Sequence, residues 1–257
     1  SDYFELGFGH SVMMGGDGAI TPSFIDVVGE FFGFRPAGTS PGSPNLTNHI
    51  FEVDMLLRIV PLRGTQIYGG FAIDDKWSNV SKTLKHGMSY QGGIYFPALN
   101  DSGSMDLRIE YVRTSPLQYR HSRYRDGYTE NRKIIGTDLG PDGDSIHVGF
   151  RQTLSENTWL GLSFDWEYRR SDRYREVKLP DGHAGGVIKI ASGPTDTRYR
   201  GMLDFNFNAS KNVKVNLAAG YERAVNISYI EGDDRNNYLL GARFEINLDR
   251  YFGVSKN

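Results

Sequence analysis

The sequence predicts an all-β chain: one antiparallel transmembrane β-barrel domain over residues 1–257, with long external loops and one short helix. Three observations predict it. Ten segments, most about ten residues long, alternate apolar and polar side chains with the period of a strand. The face opposite the apolar one is charged in nearly every segment, which suits a water-filled lumen as well as bulk water. The connections alternate between long or medium (12–45, 75–85, 116–143, 172–196, 225–236) and short. Outer-membrane barrels join strands by short turns on one side and longer loops on the other, whereas a soluble β-sandwich has no reason for that asymmetry.

Taken in order, Tyr3 to Val12 reads as a strand with Phe4, Leu6 and Phe8 on one face, a pattern that Glu5 and His10 fit less cleanly. In the connection that follows, GGDG (15–18) is a turn signal. Pro22 to Gly33 places Phe24, Val27, Val28 and Phe31 at i, i+3, i+4 and i+7, which predicts a short amphipathic helix with Pro22 at its first turn. His49–Val60 sets Phe51, Val53, Met55, Leu57 and Ile59 against Glu52, Asp54 and Arg58. A tight turn at Pro61–Gly64 leads to strands at Thr65–Asp74 and His86–Pro97, then NDSG and a strand at Met105–Thr114. Beyond the long loop 116–143 come Ser145–Leu154 and Thr158–Arg170, joined by a minimal turn. After the long loop 172–196 come Thr197–Ala209 and Val213–Glu222, joined by SKN, and lastly Asn237–Leu248. An even strand number puts both ends of the sheet at the short-turn side. Gly241–Ile246, GARFEI, fits the pattern of a terminal barrel strand weakly.

Composition limits the remaining classes. The chain has no cysteine, so disulfides and thiolate metal sites are out of reach. The formal charge of -2 gives no electrostatic case for nucleic acid. No apolar run reaches the roughly 18 residues of a transmembrane helix. A mean hydropathy of -0.46 does not argue against a membrane barrel, whose lumen-facing residues lower the average. The chain opens on Ser1 with no signal peptide, as expected of a mature chain or a fragment.

The richest candidate site is Tyr119–Gly136, YRHSRYRDGYTENRKIIG. Tyr119, Arg120, His121, Arg123, Tyr124, Arg125, Tyr128 and Arg132 crowd one loop with Asp126, Glu130 and Lys133. Arginine presents a planar fork to carboxylates, and tyrosine offers an apolar face with a polar tip against sugar rings. An acidic polysaccharide is the ligand class these residues suit; the alternative is that they tie the loop to the barrel wall. A second basic rim, Arg169, Arg170, Arg173 and Arg175 beside Tyr174, suits lipopolysaccharide phosphates or plain solvation. Asp74–Asp75, Asp142/Asp144 and Asp233–Asp234 match no calcium-loop spacing, and the histidines show no metal-ligand spacing. His121 and His147 are candidates to pair with a carboxylate, but no GxSxG or other pattern marks a nucleophile. Neither a cofactor nor a catalytic residue is expected.

Four segments resemble the Wzi-type capsule assembly proteins of Gram-negative outer membranes: LGFGHSVMMGGDG (6–18), NHIFEVDMLLRIVP (48–61) running to IYGGFAIDD (67–75), LRIEYVRTS (107–115), and YRHSRYRDGYTENRKIIGTDLGPDGDS (119–145). The last is the most specific. The resemblance implies an outer-membrane barrel of about eighteen strands that holds capsular polysaccharide at the cell surface as a lectin and has no catalytic role. It implies outer-membrane lipid and lipopolysaccharide as surroundings. It places Tyr119, His121, Tyr124, Tyr128 and Arg132 at the external, polysaccharide-binding end. With ten strands visible, the chain corresponds to the C-terminal part of such a protein, and Tyr3 is expected to pair with strands beyond this sequence. The rivals are a porin or channel, a barrel-rim hydrolase, and a soluble β-sandwich.

Overall fold

A computed structural model of the chain describes residues 2–14, 22–32, 47–73, 87–119, 129–130, 133–134, 136–178 and 184–247. The strands are β1 (Phe4–Met14), β2 (Thr47–Ile59), β3 (Thr65–Ile73), β4 (Met88–Phe96), β5 (Met105–Arg113), β6 (Thr129–Glu130), β7 (Lys133–Ile134), β8 (Gly143–Ser155), β9 (Thr158–Arg170), β10 (Arg173–Lys178), β11 (Ala184–Ala191), β12 (Thr195–Ser210), β13 (Val213–Val225) and β14 (Arg235–Ile246). Helix α1 (Phe24–Phe31) stands in the first long connection, where the i, i+3, i+4, i+7 pattern predicts it.

Ten strands form one antiparallel sheet in the order β1-β2-β3-β4-β5-β8-β9-β12-β13-β14. Apart from the two small hairpins, each strand of this meander pairs with its neighbours in sequence, so register follows from short turns. At the first of these Pro61 opens a single 3-10 turn, and Arg63 (φ 56°) and Gly64 (φ 77°) close it in the left-handed region. Among the described residues the sheet is not closed on itself: β1 and β14 are its edges.

Two expectations need correction. Residues 172–196 are not merely a loop; β10 and β11 pair there as a hairpin. RYREVK carries too many charges for its alternation to stand out, and its partner AGGVIKIA opens on two glycines, yet Val187, Ile188 and Ile190 supply β-branched residues. The loop 116–143 likewise holds the two-residue pair β6–β7, too short to leave a periodic trace. His10, which fits the β1 pattern poorly by type, shares the face of Phe4, Leu6 and Phe8: Phe8 pairs with Val53 and His10 with Phe51.

The two faces differ sharply in chemistry. One row of directly paired residues crosses all ten strands as Phe4, Leu57, Ile67, Ile94, Ile109, Val148, Phe164, Gly201, Tyr221 and Tyr238. On the opposite face the row Tyr68, Gly93, Glu110, His147, Asp165, Arg200, Glu222, Asn237 is nearly all polar. It is stitched together: Tyr68 donates to Glu110 at 2.6 Å, His147 Nδ1 lies 2.7 Å from Asp165, and Arg200 and Asn237 both donate to Glu222 at 2.9 Å. Among the described residues only Ile50, Leu139, Val215 and Ala224 are buried apolar side chains, against ten buried polar or charged ones. Phe8, Tyr238 and Leu240 are 77%, 79% and 85% exposed. A water-soluble fold does the reverse, because each large apolar side chain left in water forgoes about 1.5–3 kcal/mol. The apolar face needs an apolar surrounding.

Candidate functional site at the long-loop end

β5 and β8 converge where the chain leaves and re-enters the sheet around the loop 116–143. Thr114 and Gly143 make a reciprocal pair: the Thr114 N–H donates to the Gly143 carbonyl and the Gly143 N–H to Thr114 Oγ1, both at 2.9 Å. Beyond Thr114 the chain turns inward rather than away. Ser89 Oγ donates to Gln118 Oε1 at 2.7 Å and accepts from the Ser115 N–H at 2.8 Å, while the Ser115 carbonyl accepts from the Asp142 N–H at 3.0 Å. Thr114, Ser115, Gln118 and Asp142 are all at most 3% exposed. Such burial is tolerable because each backbone and side-chain group named here finds a partner.

This inward turn roofs a cavity of about 440 Å³. Glu52, Asp54 and Gln91 reach it from the polar face of β2 and β4, and Gln118 and Tyr119 from the turn beyond β5. Its size falls in the range of ligand-binding clefts. Carboxylates and amides around a tyrosine suit a ligand rich in hydroxyl groups. Tyr119 stands in the left-handed region (φ 66°), and its hydroxyl accepts from the Thr137 N–H at 3.2 Å. Gly136 passes so close that a β-carbon there would sit 2.5 Å from the Tyr119 hydroxyl.

A second polar knot lies on the apolar side of the same rim. Arg170 Nη2 donates to Asp144, and Arg170 Nη1 lies 3.5 Å from Asp142 Oδ1. The Arg170 guanidinium covers the Tyr168 ring at 4.8 Å. Tyr111 also donates to Asp144, and Arg113 stands 3.6 Å away from it. Tyr174, from the hairpin β10–β11, donates to Asp142 at 2.9 Å. Burial pushes the Asp142 carboxyl above the usual carboxylate range, against the pull of Tyr174 and Arg170. Burial, then the hydrogen bond to Asp142, pushes the Tyr174 phenol above the ordinary tyrosine range. Ser171 Oγ, donating to the Pro194 carbonyl at 2.7 Å, and Lys189, paired with Asp172, clamp the hairpin base.

Of the predicted loop residues, Tyr119 lines the cavity; Arg120, His121, Arg123, Tyr124, Arg125, Tyr128 and Arg132 lie outside the described residues. The four arginines of the second rim are not one cluster. Arg169 points to the polar face, donating to Glu167 at 2.6 Å, whereas Arg170 points to the other. Arg173 and Arg175 stand exposed on the hairpin. His147 does find a carboxylate, Asp165, but in mid-sheet on the polar face and not at the rim; among the described residues no hydroxyl is hydrogen-bonded to its Nε2. Asp142 and Asp144 are taken by Arg170, Tyr174, Tyr111 and Arg113, and Asp233 and Asp234 by Arg235 and Arg223. Asp74 and Asp75 lie outside the described residues. Glu52, Asp54, Gln91 and Gln118 were not candidates by sequence; they are ordinary strand-face and loop polar residues, and only the inward turn at 114–118 gathers them.

Comparison with known proteins gives three findings. A family model described as capsule assembly protein Wzi matches residues 1–239. The solved structure of Wzi from Escherichia coli, described as an outer membrane protein involved in group 1 capsule assembly and a carbohydrate-binding β-barrel, is similar in fold. It has a TM-score of 0.59 at 18% identity, over 95% of this chain and 48% of that one. The chain thus spans about half the length of that structure. No curated protein matches the chain.

Proposed function

This chain belongs to the capsule assembly protein Wzi family, and from that premise we propose that it forms part of an outer-membrane β-barrel that binds and anchors surface polysaccharide. The apolar face meets lipid and the charged face lines the lumen. The long-loop end faces the cell exterior. The observation that carries this reading is the inversion of polarity: a continuous apolar row outside, a hydrogen-bonded polar row opposite, and polar groups filling the buried positions.

In this reading the binding is non-catalytic. The cavity that Tyr119 lines offers Glu52, Asp54 and Gln91 to sugar hydroxyls, and Arg120, Arg123 and Arg125, which follow Tyr119 in sequence, meet the carboxylates of an acidic polysaccharide. Lipopolysaccharide surrounds the rim, where Arg173 and Arg175 suit its phosphates. The test is retention of the host's own surface polysaccharide by the detergent-solubilised full-length protein, against a neutral glucan as control. Selective retention supports the proposal; equal passage of both contradicts it.

The polar ladder favours a second reading, a conducting channel, because charges paired between neighbouring strands along the wall leave the lumen itself to water and ions. Conductance across a planar bilayer separates the two: a polysaccharide-holding barrel conducts little, a porin conducts steadily.

A further inference from the structure

We infer that helix α1 is a membrane-interface anchor whose exposed apolar side chains are covered by lipid acyl chains of the outer leaflet. The inference rests on the reading above that the apolar face of the sheet meets lipid. The helix is short but well started: Ser23 Oγ donates to Asp26 Oδ2 at 2.6 Å and accepts from the Asp26 N–H at 3.3 Å, a capping arrangement of the Ser-x-x-acid kind. Eight residues, about 12 Å of helix, are marginal in water alone.

Its position follows from ring contacts. Phe31 stacks on His10 with centroids 6.0 Å apart, and His10 lies parallel to Phe51 at 4.4 Å. His10 also lies with Nε2 3.0 Å from His49 Nδ1. His10 and Phe51 belong to the face of Phe4, Leu6 and Phe8. The helix therefore lies outside the sheet, on the side away from the cavity, which Ser11, Glu52 and Asp54 line from the opposite face. His10 is four residues short of the strand end at Met14, about 13 Å of strand, which sets the helix near the long-loop edge of the apolar band.

The contact with His10 does not cover the helix. Phe24 is 81% exposed, Ile25 64% and Phe32 62%. Together with Phe31 and Val28 they fall within about 120° of the helix circumference, one apolar face that Phe31 alone ties to His10 by a ring contact. It continues the exposed apolar surface of β1 and β2, where Phe8 is 77% exposed and Phe51, stacked on His10, is still 54% exposed. A helix whose one apolar face stays largely exposed and lies along the edge of a lipid-facing band has the character of an interfacial helix. The lumen ligand is on the wrong face to cover it.

The chain has no cysteine, so single-cysteine variants of the full-length protein give site-specific probes. Phe24→Cys and Ile25→Cys report on the helix, Phe8→Cys on the sheet's apolar face and Ser163→Cys on its polar face. Each is labelled with an environment-sensitive dye and folded into phosphatidylcholine vesicles containing acyl-brominated lipid. The inference expects quenching at positions 24, 25 and 8, and none at 163. Quenching at 8 without quenching at 24 or 25 overturns it while leaving the membrane reading intact. Absence of quenching at 8 overturns the membrane reading itself. Energy transfer between labels at 24 that grows with protein density, without bromine quenching, assigns the face to a second copy and also overturns the inference.

Discussion

The Tyr174 hydroxyl, on the hairpin β10–β11, donates to the buried carboxylate of Asp142 at 2.9 Å and so fastens the hairpin to the entry of β8. Tyr174→Phe leaves a buried acceptor short of a donor, at about 1–3 kcal/mol. Amide exchange over residues 173–191 should therefore speed up while the central strands hold. The pH dependence has a definite sign. Tyr174 has its folded pKa raised above the unfolded value near 10, so its contribution is fully present below about pH 10 and is lost as pH rises through the folded pKa. The difference in hairpin protection between wild type and Tyr174→Phe should shrink as pH climbs above about 10. A constant difference into strong alkali would show that the bond does not anchor the hairpin.

Ile109 and Val148 face each other in mid-strand on the apolar side, while Ser163 lies on the polar side, paired with Gly149. If the apolar face meets lipid, Ile109→Arg costs about 2–4 kcal/mol, and Ser163→Arg costs little. Denaturant titration of the protein folded in vesicles measures both. Equal costs at the two positions would contradict the assignment of faces.

Gly136 holds φ at +146°, a region L side chains rarely adopt, beside the Tyr119 ring. Gly136→Ala adds backbone strain of about 1–3 kcal/mol and pushes a β-carbon into the Tyr119 hydroxyl. The expected result is a several-fold weaker polysaccharide affinity with an unchanged melting temperature of the sheet, read by titration and by circular dichroism. Unchanged affinity would remove Tyr119 from the binding end.

Much of the fold is legible in the sequence because a barrel strand writes its two faces directly into alternation. Phe51 to Ile59 and Leu160 to Tyr168 show it plainly, and the observed strands β2 and β9 follow within two residues of the expected ends. The hairpin β10–β11 is not legible, since Tyr174 answers to Asp142 and Lys189 to Asp172 at the rim rather than to a face of the sheet. His10 misleads for a similar reason: its type reads as polar, but a parallel ring stack with Phe51 makes it part of the apolar face. The site is legible only in part. The loop 119–136 announces itself by composition, whereas the cavity that Tyr119 lines depends on Ser89, Ser115 and Gln118 locking an inward turn. Hydrogen bonds between residues 26 and 29 positions apart leave no local trace.

The central claim is that the long-loop end grips an acidic surface polysaccharide. The most direct measurement is titration of the detergent-solubilised full-length protein with that polysaccharide, comparing wild type with the variant in which Arg120, Arg123 and Arg125 are all alanine. Arg63→Ala, at a short turn on the opposite end where Arg63 pairs with Asp101, serves as control. Saturable binding that is lost in the triple variant and kept in Arg63→Ala is the predicted result. Binding to no surface polysaccharide of the host, or binding unaffected by the triple change, would contradict the account.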